Sequence, residues 1–222
     1  MSKSACGKRK YVYIVLYGNS EKEVPDMATI NTKVYVMEMV LEYAKVFKEN
    51  ADYGDLDSNQ KWLRELSKSG GQTAVNAYFT SEDQINQLLE SGYQRMTTNP
   101  STGQQVDTIK VGNPEFGIGQ YIQLKRKVVD IREYKDSQSG EFKELDLGGF
   151  PTVVDLTEGE ENKRLWDYEE KGQLGHGTRA YIEFEVYKGG SRRLSNLAIT
   201  DHIAYEETAT VEGLSMFKVD AA

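Results

Sequence analysis

One cysteine, two histidines and four prolines in 222 residues exclude several kinds of protein at once. Cys6 alone cannot form an intramolecular disulfide, which suits a reducing compartment. A structural zinc would have to combine Cys6, His176 and His202 with a carboxylate, an unusual ligand set for such sites. No apolar run approaches the roughly 20 residues that a bilayer-spanning helix needs. The basic stretch before Lys10 leads only into Tyr11 to Tyr17, short and rich in β-branched and aromatic residues, without the apolar segment or cleavage site of a secretory leader. The expectation is a cytoplasmic protein with no membrane partner.

The chain is long enough to bury a core without disulfide help, and one domain over residues 1–222 is expected. Its net charge of -8 argues against phosphate binding unless Lys and Arg gather on one face while Asp and Glu lie elsewhere.

Alternation and turn residues predict a mainly β chain of α+β class. Lys10 to Tyr17 reads as a strand apolar on both faces. Thr32 to Lys48 offers helical spacing at Met37, Val40, Leu41 and Ala44, but its β-branched and aromatic residues favour a long bent strand. A polar insertion, Ala51 to Gly71, carries a short helix around Trp62 to Leu66, and Thr73 to Phe79 reads as a strand. Ser81 and Gln84 form a capping box for a helix stopped by Gly92. A short strand is expected at Val106 to Val111, and one continuous strand at Gly119 to Tyr134. Ser137 to Gly140 reads as a turn into a polar ribbon, Glu141 to Leu147, and Thr157 opens a helix through Trp166 to Gly172. Thr178 to Tyr187, with Ala180, Ile182, Phe184 and Val186 inward, pairs with Leu197 to Tyr205.

Catalytic patterns are weak. His176 lies between glycines and His202 in an alternating strand. Gly117-Ile-Gly119 leads into a strand, so it lacks the helix N-terminus that holds phosphate. Asp55, Asp57 and Asn59 share the first spacings of a calcium loop, but Gln60 and Leu66 replace its required Gly and Glu. No enzyme activity and no cofactor or metal are expected.

The positive features are cations interleaved with rings. Lys125, Arg126, Lys127 and Arg132 follow Tyr121; Tyr43, Lys45 and Phe47 repeat the pattern; and Tyr187 and Lys188 precede Arg192 and Arg193. Single-stranded nucleic acid is bound by such combinations, since bases stack on rings at about 1–3 kcal/mol each while cations follow phosphates. The same rings would equally suit a subunit interface in an interaction or virion-structural protein.

Read in order, EYAKVFKENADYG from Glu42, NAYFTSEDQINQLLESG from Asn76, YIQLKRKV from Tyr121, PTVVD from Pro151, LGHGTRAYIEFEVYKG from Leu174 and LSNLAITDHIAYEE from Leu194 resemble the single-stranded DNA-binding proteins of tailed bacteriophages. The resemblance covers about residues 31–207. It implies an OB-fold, a five-stranded antiparallel barrel with a helix between strands, here with helical and loop insertions. It also implies protection of single-stranded DNA, and removal of its secondary structure, in phage replication, recombination and repair in an infected bacterium. The implied partners are single-stranded DNA, phage replication or recombination proteins, and further copies of the chain as a dimer or a cooperative assembly. The binding groups carry over to Tyr43, Lys45 and Phe47, to Lys125, Arg126 and Lys127, and to Tyr187 through Arg193. Two departures stand out: Ser215 to Ala222 holds only Asp220 as an acid where many relatives have an acidic tail, and the zinc ribbon of some relatives is missing.

Overall fold

The computed structural model describes residues 33–99, 102–135, 139–187 and 191–206. The strand expected at Lys10 to Tyr17, part of the turn at Ser137, Lys188 and the tail from Ser215 lie outside them.

In chain order the elements are β1 (Lys33–Lys45), α1 (Lys61–Lys68), β2 (Gln72–Phe79), α2 (Glu82–Glu90), β3 (Met96–Thr98), β4 (Gln105–Asp107), β5 (Ile109–Val111), β6 (Gln120–Lys127), β7 (Ile131–Lys135), β8 (Phe142–Asp146), β9 (Thr152–Asp155), β10 (Arg164–Leu165), α3 (Tyr168–Lys171), β11 (Arg179–Val186) and β12 (Arg192–Asp201). Eight of the strands form one mixed sheet in the order β10-β9-β12-β11-β1-β2-β6-β5, while β3–β4 and β7–β8 are separate two-stranded ribbons. All neighbours in the large sheet are antiparallel except β12 and β9.

Alternation decides what is buried. Tyr35, Met37, Met39 and Leu41 of β1, Val75, Ala77 and Phe79 of β2, Ile122 and Leu124 of β6, and Ala180, Ile182 and Phe184 of β11 all point into one core. Ile85 and Leu88 of α2 join that core. β1 pairs with β11 through Val40 and with β2 from Met39 onward, and this exchange of neighbours curls the sheet.

The curl brings β6 toward β12 without closing a barrel: among the described residues no ladder joins them. The contact is made by Arg126, whose guanidinium donates to the carbonyls of Ser195 (3.2 Å) and Gly148 (2.6 Å). Ser195 is the extra residue of a bulge, where the β11–β12 register slips between Glu183 and Phe184, so its carbonyl is left for a partner outside the ladder.

Several local expectations are corrected. Ser81 makes no side-chain cap; Gln84 instead accepts from the Thr80 backbone N–H (2.7 Å) and donates to the Glu38 carbonyl (2.7 Å), tying α2 to β1. The continuous strand expected over Gly119 to Tyr134 breaks after Lys127, where Val128 and Val129 donate to the carbonyls of Gly71 and Ser69 and the chain leaves the sheet. The helix expected from Thr157 is a short 3-10 turn followed by β10 and α3, capped by Asp167, which accepts from the Glu170 N–H (3.0 Å). Arg192 and Arg193 begin β12 instead of lying in its preceding loop.

The segment from β9 through β10 to α3 is held by Asp155, only 3% exposed, which accepts from Lys171 (2.6 Å), Thr157 (2.7 Å) and Arg164 (3.2 Å). Burial pushes its pKa up, but these hydrogen bonds outweigh burial and hold the carboxyl well below the usual carboxylate range. A depressed folded pKa contributes stability that is complete above the unfolded value of about 3.9 and is lost as pH falls through the folded one. Asp155→Asn is expected to cost about 2 kcal/mol at pH 7. In urea unfolding, its deficit relative to the parent should shrink as the pH is lowered below about 4.

Candidate nucleic-acid interface

The outer face of β1, β2 and β6 is arranged in rows set by cross-strand register. Residues two apart on a strand share a face, so successive rows are roughly 7 Å apart. One row is Val40, Tyr78 and Tyr121; the next is Glu42, Asn76 and Gln123; the third is Lys45, Ala74 and Lys125; Gln72 and Lys127 follow. Lys45 and Lys125 therefore flank a small alanine with backbones roughly 10 Å apart. Lys45, Lys125 and Lys127 are exposed and have no ion-pair partner among the described residues.

Tyr43 owes its position to a break in β1. The register slips between Glu42 and Lys45, and Tyr43 has φ +50°, a left-handed conformation uncommon for a residue with a Cβ. The slip sends Ala44 and Val46 into the core while Tyr43 remains 59% exposed. Its ring meets His176 edge-on at 4.6 Å. From there ring contacts continue through Phe116 (6.5 Å), Tyr78 (5.5 Å) and Tyr121 (4.9 Å), so Tyr43 and Tyr121 are the two ends of one run of five rings. Tyr78 is buried beneath the loop from Gly112 to Gly119. Glycine permits that covering, because a Cβ on Gly112 would lie 2.3 Å from the Tyr78 hydroxyl, and one on Gly117 2.0 Å from the Phe79 carbonyl.

Two hollows flank this face. The larger, about 600 Å³, is lined by Tyr43, Lys45, Asn50, His176, Ile203 and Tyr205 among others. The smaller, about 160 Å³, lies at the seam between β6 and β12 and is lined by Lys125, Arg126, Lys127, Arg132, Arg192 and Arg193, with Tyr187 and, as its one acid, Asp130. Lys45 lines the first and Lys125 the second, so their shared row links the two.

The arginines differ from the lysines. Arg132 grips Asp130 with two hydrogen bonds (3.1 and 2.8 Å) and lies 5.9 Å over the Tyr187 ring. Those bonds hold Asp130 below the ordinary carboxylate range. Arg192 donates to the Tyr93 hydroxyl (2.6 Å), and Arg193 to Glu185 (3.2 Å), which also accepts from Tyr187. Burial, then the charge of Arg193, lowers the Arg126 pKa, so two guanidinium groups stand close together behind the seam.

Of the side chains singled out in the sequence, the seam gathers Lys125, Arg126, Lys127, Arg132, Tyr187, Arg192 and Arg193. Tyr43, Lys45 and Tyr121 lie on the adjoining sheet face. Phe47 does not join them: it packs inward against Tyr168 (5.1 Å) and Trp166 (6.4 Å). Lys188 lies outside the described residues. Tyr78, Phe116 and His176 were missed. Tyr78 follows the alternation of β2, but Phe116 sits in a loop without periodicity, and His176 showed only its neighbouring glycines.

No protein-family model matches the chain, and no curated protein matches it. Among solved structures it is similar to the single-stranded DNA-binding protein from bacteriophage Enc34. The TM-score is 0.43 and the identity 9%, over 80% of this chain and 86% of that one.

The left-handed backbone at residue 43 has a direct test. Tyr43→Gly should unfold at higher urea than Tyr43→Ala, by about 1 kcal/mol, because only glycine adopts that conformation without penalty. Equal midpoints would mean that the bulge relaxes.

Proposed function

We propose that this chain binds single-stranded DNA without strong sequence preference and performs no chemistry of its own. In this reading it protects the strand and melts its hairpins during phage replication, recombination and repair in an infected bacterium. The observation that carries the reading is the row Lys45, Ala74 and Lys125, which joins an exposed ring groove to a cation-lined seam in a molecule of net charge -8. Charge segregation of this kind lets an acidic protein still present a positive path to phosphate.

The strands β12, β11, β1, β2 and β6, curled until Arg126 spans the gap, suit a partly open OB barrel. OB-folds bind oligonucleotides on the face of their second and third strands and at the neighbouring loops. Here that face is β2 and β6, and the adjoining loop is the β11–β12 connection with Tyr187 and Lys188. Lys45, Lys125 and Lys127 serve as phosphate contacts, and Tyr43, Tyr121 and Tyr187 as stacking platforms. Arg132 adds charge at the rim, and Arg193, paired with Glu185, adds charge behind it. Arg126 and Arg192, engaged by backbone carbonyls and Tyr93, build its wall, whereas Phe47, packed on Trp166 and Tyr168, is left out of the contact surface. Further copies of the chain or phage replication proteins are proposed partners of the assembled strand.

A second reading, a subunit-interface protein, draws on exposed apolar side chains, chiefly Ile131 and Phe142 of the β7–β8 ribbon. Fluorescence anisotropy with a labelled oligonucleotide at several salt concentrations separates the two. Three lysine–phosphate contacts imply a slope of about -2 in log affinity against log salt. Lys125→Glu with Lys127→Glu should weaken binding at least tenfold and flatten the slope by about 1.4, with the melting temperature unchanged. Affinity that ignores salt, or survives both substitutions, would overturn this placement of the DNA.

A further inference from the structure

Between the ring row and the lysine row lies a row that neither stacking nor phosphate capture explains. Glu42 Oε2 accepts from Asn76 Nδ2 (3.1 Å) and from the Tyr78 hydroxyl (2.9 Å), and Asn76 Oδ1 accepts from Gln123 Nε2 (3.3 Å). All three row members are half-buried on the outer face. Burial raises the Tyr78 pKa, and its bond to Glu42 raises it further, so the phenol stays protonated and donates to the carboxylate. Glu42 Oε1 accepts no hydrogen bond among the described residues.

We propose that Glu42, positioned by Asn76 and Tyr78, reads the base edge and favours bases bearing an exocyclic amino group over thymine. This rests on the single-stranded DNA reading above. A carboxylate repels phosphate, so the DNA backbone is kept to the lysine row. A nucleotide with its phosphate at Lys45 or Lys125 and its base against Tyr43 or the half-buried Tyr121, beside the covered Tyr78, then lays its polar edge across Glu42, Asn76 and Gln123. An ionised carboxylate only accepts hydrogen bonds. Cytosine N4 and adenine N6 carry donors there, whereas thymine presents the O4 acceptor, which the carboxylate repels. The consequence is a bias of several fold in base composition on an otherwise sequence-tolerant surface.

The test uses the full chain and oligonucleotides of equal length at one salt concentration. One is oligo-dC, and the other carries 2-pyrimidinone, which is cytosine without its amino group and so adds no bulk. The wild-type protein should bind oligo-dC several-fold more tightly, by about fivefold. Glu42→Gln should bring the two within about twofold while overall affinity holds or rises, because a negative charge has left the face. Equal wild-type affinities for both oligonucleotides would overturn the inference and leave single-stranded DNA binding intact, with no variant needed. A gap that persists in Glu42→Gln would also overturn it. Failure of the wild type to bind either oligonucleotide would overturn both readings.

Discussion

The shared pairing of β1 is the constraint on which the structure depends. One strand serves two neighbours, β11 along its first part and β2 along its second, and it can do so only if the sheet bends between them. The slip at Tyr43 completes that bend. It resets the alternation so that Ala44 and Val46 continue the core, and it turns a large ring outward where a regular strand would have placed it differently. A left-handed non-glycine residue costs of order 1–3 kcal/mol, and it persists only where its surroundings determine it. Here they do, through the β2 register on both sides of the slip and the His176 ring against Tyr43.

The cations divide by chemistry. Arginine presents a planar fork of donors that suits fixed carbonyl and carboxylate partners, and the seam uses it so: Arg126 spans the sheet gap, Arg132 holds Asp130, and Arg192 holds Tyr93. Lysine is a compact, hydrated charge on a flexible stem, and Lys45, Lys125 and Lys127 project from the sheet with no ion-pair partner among the described residues. The wall is thus rigid and the contacts above it adaptable, a combination that tolerates varied sequence in a flexible ligand.

Much of the scaffold was legible in the sequence because alternation is a local property. Ala180, Ile182, Phe184 and Val186 showed their inward face directly, and the parity of Ile122, Leu124 and Arg126 already set Arg126 apart from Lys125 and Lys127. Register was not legible. That Lys45 shares a row with Lys125 depends on the slip at Tyr43, and no local pattern announces where a strand will slip. The ring run escaped for a related reason, since Phe116 and His176 reach it from separate loops. The capping box at Ser81 failed because Gln84 found a tertiary partner, the Glu38 carbonyl, that outweighed its local role. The break after Lys127 likewise follows from distant carbonyls, those of Ser69 and Gly71.

An open sheet leaves two borders, and here they are β10, two residues long, and β5, three residues long. Unpaired strand borders are templates for fibril growth, and brief, charged ones resist it. Arg164 on β10 and Lys110 on β5 add charge to both. A sheet curled around one core without closing thus offers little for another molecule's strand to extend.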